Sequence, residues 1–418
     1  MRINIRKYIP KRIKKLYHDE DLNYIIKYSR YDVIIELLSF SIGFFNSWFF
    51  ANYISFELYG NYLFILNINN FFGFLSFSGI SQSLIQVTSK GYDSFLITAT
   101  KKLFLYSQLG TFAILIYSII YNLFFEFSLV IFFCLIITGV SFPFGCVILL
   151  YQNYLFGKEK YKKRFLVRSV NLIILNLSIF ILIFFFRNLI LYFLLYNIFQ
   201  TTFNLYLMRS TIKHIDKTER DPNQDKNAMQ YGMMLTKYGI IPIIASNING
   251  LIVGMFFGPV SLAFYTVGIG LSNKLIVLTR PSLSTLFTKY SKESKISKTF
   301  IIFVICFSIF LFFAVQIILP FFLQILFPFY ISSITYGRLH TFIILILPIN
   351  VVFGYYFRGK IEEKIIKLSI LIPNIISLIF IAPLLLIFGI NGLILNEIFK
   401  NVFTLIIYFI YKNKIEFS

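Results

Sequence analysis

Charge is scarce in this chain, and what there is has largely one sign. Only 14% of its 418 residues are Asp, Glu, Lys or Arg, against about 25% in a typical soluble domain. That scarcity, with a mean hydropathy of +0.77, excludes a soluble fold. Cysteine is nearly missing as well. Cys134, Cys146 and Cys306 sit inside apolar stretches with no paired spacing, so they read as packing residues rather than a disulfide framework or a metal site. The three histidines, His18, His214 and His340, are far apart and adjoin no metal or nucleophile pattern. Gly-rich phosphate loops, Gly-x-Ser-x-Gly and Walker motifs are absent. No enzyme chemistry, cofactor or metal is expected, nor an ATP-driven mechanism within the chain. Short alternating strands with polar inner faces are missing too, which excludes a β-barrel. No polar loop is long enough to form a domain of its own.

What the chain has instead is long apolar runs. A helix needs roughly 20 apolar residues to cross the hydrocarbon. Twelve such stretches lie near 33–55, 61–85, 103–122, 129–150, 165–186, 189–208, 232–256, 261–279, 299–320, 339–357, 368–388 and 393–411. The fold class is therefore an all-α polytopic membrane protein of twelve transmembrane helices.

Its basic residues set the topology. Of 39 Lys and Arg, 33 lie in 1–30, 86–102, 151–164, 209–231, 280–298, 358–367 and 412–418, the two tails and every second connection. The alternate connections carry only Arg187 and Arg338. Cytoplasmic loops keep Lys and Arg because these are costly to translocate, so both ends are expected inside. The net charge of +21 is then a topology signal, and no nucleic-acid partner is implied. Residues 1–30 lack the apolar core and cleavage site of a signal peptide. Arg2, Arg6, Lys7, Lys11, Arg12, Lys14 and Lys15 suit either the anionic lipids of the inner leaflet or a solvated tail that only sets orientation.

The polar stretch 209–231 reads as a cytoplasmic linker between spans one to six (31–208) and spans seven to twelve (232–411), with 412–418 as a cytoplasmic C-terminal tail. Two halves with the same starting side suggest a parallel repeat. At an offset of 203, Tyr62 falls on Tyr265, Asn46 on Asn249 and Asn70 on Asn273.

Polar groups in hydrocarbon should turn toward a bundle interior or a cavity. Asp32, Glu36, Ser39, Gly43 and Asn46 fall on one face of the first span, and Gly239, Pro242, Ser246 and Asn249 on one face of the seventh. A third stripe, Asn69, Gly73, Ser76 and Ser83, marks the second span and equally suits helix–helix packing. Within or at the edges of spans lie the ionisable residues Asp32, Glu36, Arg168, Lys237, Lys274, Glu397 and Lys400. Each costs roughly 2.5–3.5 kcal/mol at a bilayer centre. Arg168, Lys237 and Lys274 either line a cavity or snorkel to inner headgroups; Glu397 and Lys400, three apart, are placed to neutralise each other. The substrate-cavity candidates are Asp32, Glu36, Asn46, Arg168, Lys237, Asn249 and Lys274. Candidates for coupling to an ion are Asp32, Glu36 and Glu397. The surplus of cations suits an anionic substrate.

Residues 247–265, Asn-Ile-Asn-Gly-Leu-Ile-Val-Gly-Met-Phe-Phe-Gly-Pro-Val-Ser-Leu-Ala-Phe-Tyr, resemble the seventh-to-eighth span junction of bacterial polysaccharide flippases, with Ala263 where Gly is usual. Residues 55–62 look like the matching first-half junction, and Gly79-Ile80-Ser81-Gln82-Ser83-Leu84 is similar to the end of that family's second span. Gln324-Ile325-Leu326-Phe327-Pro328-Phe329-Tyr330 resembles its outer segment after span nine, with Pro328 where Gly is common. The resemblance is to the multidrug/oligosaccharidyl-lipid/polysaccharide exporter superfamily, its O-antigen (Wzx-type) branch above all. It implies two six-helix lobes in a MATE-like V around a central cavity. It also implies a flippase in the bacterial inner membrane, carrying an undecaprenyl-diphosphate-linked oligosaccharide of O-antigen, lipopolysaccharide or capsule. Membrane lipids, a polysaccharide polymerase and a chain-length regulator are the implied partners. Three rivals remain. A drug or cation exporter would use Asp32 and Glu36 as cation sites; a lipid II flippase usually carries an additional helix pair; an integral membrane polymerase needs a larger outward loop than 321–338.

Overall fold

The computed structural model describes residues 20–125, 128–186, 188–213, 215, 221–284, 295–296, 298–360 and 362–417. The basic tail 1–19, Arg187 and much of the 209–231 linker lie outside the described residues. Among the described residues, fourteen α-helices follow one another. The first half holds α1 (Glu20–Tyr53), α2 (Phe56–Phe71), α3 (Ser78–Ser89), α4 (Phe95–Phe124), α5 (Leu129–Gly157), α6 (Tyr161–Phe186) and α7 (Leu189–Lys213). The second holds α8 (Pro222–Phe256), α9 (Gly258–Ser284), α10 (Lys298–Leu326), α11 (Ile334–His340), α12 (Phe342–Gly359), α13 (Glu363–Phe388) and α14 (Ile390–Ile410). Each of the twelve apolar stretches falls on one helix or on a bent pair. Among the described residues, six helices are long and apolar enough to cross a membrane, and the two bent pairs raise that to eight. The chain is a multi-pass membrane protein.

Local chemistry explains the boundaries. Ser55 caps α2 by accepting from the Leu58 amide, and Ser128 caps α5 through Ile131. Asp221 accepts from Asn223 just ahead of Pro222, the proline-first start of α8. The second span bends by 55° where Phe77 takes a left-handed conformation, φ 50°, and the tenth bends by 41° between α11 and α12. Prolines 143, 242, 320, 348, 373 and 383 stay inside helices; neighbouring helices let membrane spans tolerate them. Apolar side chains such as Leu123, Phe124, Ile325 and Leu386 stand exposed, as lipid-facing residues do. One two-residue parallel bridge, Lys295–Ile296 against Glu416–Phe417, is added to the all-α fold.

The connections sort themselves by charge. At one end, Lys158 pairs with Asp93 at 2.7 Å, and the Tyr92 hydroxyl lies 2.9 Å from the Asp225 carboxylate and accepts from the Asp221 amide at 2.8 Å. Three basic segments, 86–102, 151–164 and 209–231, are thus joined. Likewise 280–298, 358–367 and 412–418 meet through the bridge and through Lys414–Glu362 at 2.8 Å. Charge-poor connections gather elsewhere: Asn52 donates to the Leu326 carbonyl at 2.8 Å, Ser333 donates to that of Phe264 at 2.7 Å, and Phe56 stacks near Tyr330 and Phe264.

A seam between the second and seventh spans joins the halves. These spans run antiparallel, and glycine permits the approach. A Cβ on Gly79 would collide with the Gly232 carbonyl and the Thr236 amide; one on Gly60 would meet the Pro259 backbone. The 203-residue repeat is visible in the helix ends, since α1 stops at Tyr53 and α8 at Phe256.

Candidate functional site

Within the first half, four helices leave a cavity of about 380 Å³. Each gives one face at helical spacing: Tyr62 and Leu66 from α2, Ile148 and Gln152 from α5, Arg168, Asn171, Leu172 and Asn176 from α6, and Tyr192, Tyr196 and Gln200 from α7. The tyrosines touch, with Tyr62 and Tyr192 rings 5.6 Å apart and Tyr192 and Tyr196 5.7 Å apart. Among the described residues, the wall therefore offers one guanidinium, four amides and three phenols. Such a surface donates hydrogen bonds to oxygen-rich ligands and favours negative charge.

The anticipated residues are distributed unevenly around it. Arg168 is in the wall. Asn46 reaches it from α1 by donating to Asn176, whose own amide donates to the Leu172 carbonyl. Lys274 stands between the halves, its Nζ 3.3 Å from Ser47 Oγ and 5.2 Å from the centre of the Phe44 ring. Lys237 is exposed on α8, away from this cavity's lining. The side chains of Asp32 and Glu36 lie outside the described residues.

Asn249 is buried in the second half, donating to the Leu393 carbonyl at 3.5 Å. The stripe it ends does not line one open surface: Ser246 is exposed while Asn249 is covered by α14. Beside Asn249 lies the Tyr265 hydroxyl, within electrostatic reach of Glu397. Glu397 meets His340 across helices at 3.5 Å, an encounter that helical spacing around Lys400 does not reveal. Among the described residues, no group of three or more His, Cys, Asp or Glu could hold a metal ion.

Asn171, Asn176, Gln152, Tyr192, Tyr196 and Gln200 are not among the residues singled out from the sequence, and Tyr62 stands out there only as the repeat match of Tyr265. Their signal was there: Tyr192, Tyr196 and Gln200 recur every fourth residue, and Asn171 lies one turn from Arg168. A search restricted to ionisable residues passes over them.

The model of the polysaccharide biosynthesis protein family matches residues 49–295. In fold, the chain is similar to an outward-facing multidrug resistance MATE family transporter of the MOP superfamily, with TM-score 0.62, 12% identity, and 93% of this chain and 94% of that one covered. It is also similar to a MOP superfamily transporter from Pyrococcus furiosus, whose binding pocket is described as of reverse polarity (TM-score 0.61, 12% identity, 93% and 94% covered). A eukaryotic MATE transporter aligns at TM-score 0.60 and 11% identity over 94% of this chain and 95% of its own. No curated protein matches the sequence.

Proposed function

The chain belongs to the polysaccharide biosynthesis protein family, and from that premise we propose that it is a flippase for an undecaprenyl-diphosphate-linked oligosaccharide. The cargo is an O-antigen or capsule repeat unit, carried across the bacterial inner membrane by alternating access. Both termini and the basic connections face the cytoplasm, in keeping with the retention of Lys and Arg on that side.

One observation carries this reading: a cavity inside an otherwise apolar half that gathers the Arg168 guanidinium, four amides and three tyrosines. A bare diphosphate is prohibitively costly to bring into hydrocarbon. A guanidinium matches phosphate oxygens two at a time, and each such charged hydrogen bond contributes roughly 1.5–3 kcal/mol net. Amides and tyrosines suit sugar hydroxyls and ring faces, while the polyprenyl chain stays in lipid. Asn46 bonds to the wall from the first span, and Lys274 bridges the two halves beside the first span at Phe44 and Ser47. A polysaccharide polymerase and a chain-length regulator are the partners that such a cargo calls for.

The test is rescue of surface polysaccharide in a strain lacking its own flippase, with protein level followed in parallel. The unmutated chain should restore polysaccharide. If no polysaccharide strain is rescued and the chain instead confers drug resistance, a drug exporter replaces the flippase reading.

A further inference from the structure

His340 ends α11 at the bend before α12 and has no exposed surface. Its Nδ1 lies 2.6 Å from Ser272 Oγ on α9. Ser272 has one hydrogen to give, and it donates to the Ile269 carbonyl at 3.0 Å. With that hydrogen on Ile269, Nδ1 is assigned as the donor in the short contact, a tautomer that the spectra described below test. Neutral imidazole carries a single N–H, so Nε2 is left with a lone pair. That nitrogen has no hydrogen-bond partner and faces Glu397 Oε2 on α14 at 3.5 Å.

A bare Nε2 makes no hydrogen bond to the carboxylate it faces; the imidazole is fully buried and the Glu397 side chain is 28% exposed. One added proton turns the contact into a charge-assisted hydrogen bond. We propose that His340 and Glu397 form a proton-binding site in the second half. A proton arriving from water forms an N–H bond at Nε2, and the imidazolium so made donates to the carboxylate; no other bond changes. Closing to an ordinary N–H···O length of about 2.7–3.2 Å draws α11 toward α14 at the bend, while Nδ1 keeps α11 on α9.

Other charged or titratable groups on these elements are Tyr265, Lys274 and Arg280 on α9, Tyr336 and Arg338 on α11, Tyr330 ahead of α11, and Lys400 and Tyr408 on α14. Of these, Tyr265 is within electrostatic reach of Glu397. From α10 the group facing the bend is neutral: Gln316 donates to the Arg338 carbonyl at 2.9 Å and to the Thr341 hydroxyl at 2.7 Å. The α8 neighbour is Asn249, and α13 contributes Ser377, which accepts from Asn396. Among the described residues, Glu397 is thus the carboxylate that His340 meets.

On the flippase reading, this site is where a proton gradient enters the carrying cycle. Proton binding itself is tested without any cargo. The full chain holds three histidines, so ¹⁵N-histidine spectra of the protein in lipid nanodiscs are simple, and His340→Gln assigns one signal set by its loss. The His340 signals should show a protonated Nδ1, and Nε2 should gain a proton when pH is lowered. Glu397→Gln should shift that titration, and Ser272→Ala should abolish the fixed tautomer. A His340 signal that does not titrate, or that titrates identically with Glu397→Gln, overturns the site. If Glu397→Gln does not fold, Glu397→Asp keeps the charge, shortens the reach and must also shift the titration. The rescue assay then tests coupling: Glu397→Gln at normal protein level should lower polysaccharide, and equal rescue overturns coupling through this pair. Failure of the unmutated chain to rescue sinks the flippase reading alone, because the spectra stand apart from it.

Discussion

The two halves use matching repeat positions in opposite ways. Tyr62 and Tyr265 are 203 residues apart, as are Asn46 and Asn249. In the first half, Tyr62 borders an open cavity and Asn46 bonds to its wall through Asn176. In the second, Tyr265 is buried beside Asn249, and Asn249 is covered by α14. One repeat unit therefore leaves polar groups facing a void, and the other turns them into a packed network ending in His340 and Glu397. Void and network call for different ligands. The void admits a sizeable oxygen-rich anion; the network has room for a proton. A carrier that binds cargo in one half and a driving ion in the other divides the work along its own repeat.

The sharpest way to break this division is at Arg168. Arg168→Gln keeps polarity and much of the size but removes the charge, so the protein should still accumulate. Loss of one charged hydrogen bond of roughly 1.5–3 kcal/mol should slow translocation by about 10- to 150-fold, at about 1.4 kcal/mol per factor of ten. Arg168→Lys should retain more activity than Gln. Surface polysaccharide in the rescue assay, per unit of this protein, is the readout. Full activity in Arg168→Gln would leave the cavity as packing space.

A second experiment asks whether the halves differ in access as well as in composition. Cysteine placed at Gln152, in the cavity wall, should react with a small hydrophilic thiol reagent, while cysteine at the buried Asn249 should not. Cys134 and Cys146 are buried, and Cys306 is exposed, so the background is a Cys306→Ala chain. Equal reactivity at both positions would mean that the second half opens too, and the contrast would vanish.

Much of this architecture can be read in the chain, and the reason is physical. Hydrocarbon tolerates so few sequence patterns that twelve apolar runs and alternating basic connections nearly dictate a polytopic helical bundle. The repeat was also legible, since Tyr53 and Phe256 end helices at the offset seen in Asn46 and Asn249. The cavity was only partly so. Arg168 announces itself by charge, whereas Asn171, Asn176 and Gln200 look like ordinary polar residues until four helices bring them together. His340 was harder still. It lies 57 positions before Glu397, and no local spacing links them; only the bend after α11 and the packing of α14 bring imidazole and carboxylate into contact.

The small-residue stripes teach the same lesson at glycine. Gly43 has nothing within 4 Å of the place where a Cβ would stand, whereas Gly79 has backbone there. Gly79→Ala should therefore destabilise the seam by about 1–3 kcal/mol, the usual cost of overpacking, and lower the midpoint of thermal unfolding in detergent. Gly43→Ala should leave that midpoint unchanged or slightly raised, because alanine is the better helix former. A similar loss at both sites would show that the first-span stripe is packed as tightly as the seam.

The smallest expected effect lies where the halves meet at their basic end. Tyr92 bonds to Asp225 and accepts from the Asp221 amide, so a single hydroxyl ties the loop after the second span to the start of the seventh. Thr98 donates to the other oxygen of Asp225, which keeps that carboxylate partnered when Tyr92 is changed. Tyr92→Phe removes the hydroxyl and keeps the ring, so the loss should be about 0.5–1.5 kcal/mol, that of an ordinary hydrogen bond. A carrier must part and rejoin at this end in each cycle, and a weaker tie should make the closed arrangement less populated. Cysteine at Met229, in the crevice beside Asp225, should then be modified faster in the Tyr92→Phe background than with Tyr92 present, each protein carrying the same Met229→Cys change. Unchanged modification would show that the tyrosine is a passive neighbour of Asp225 and that other contacts, the glycine seam among them, hold the halves together.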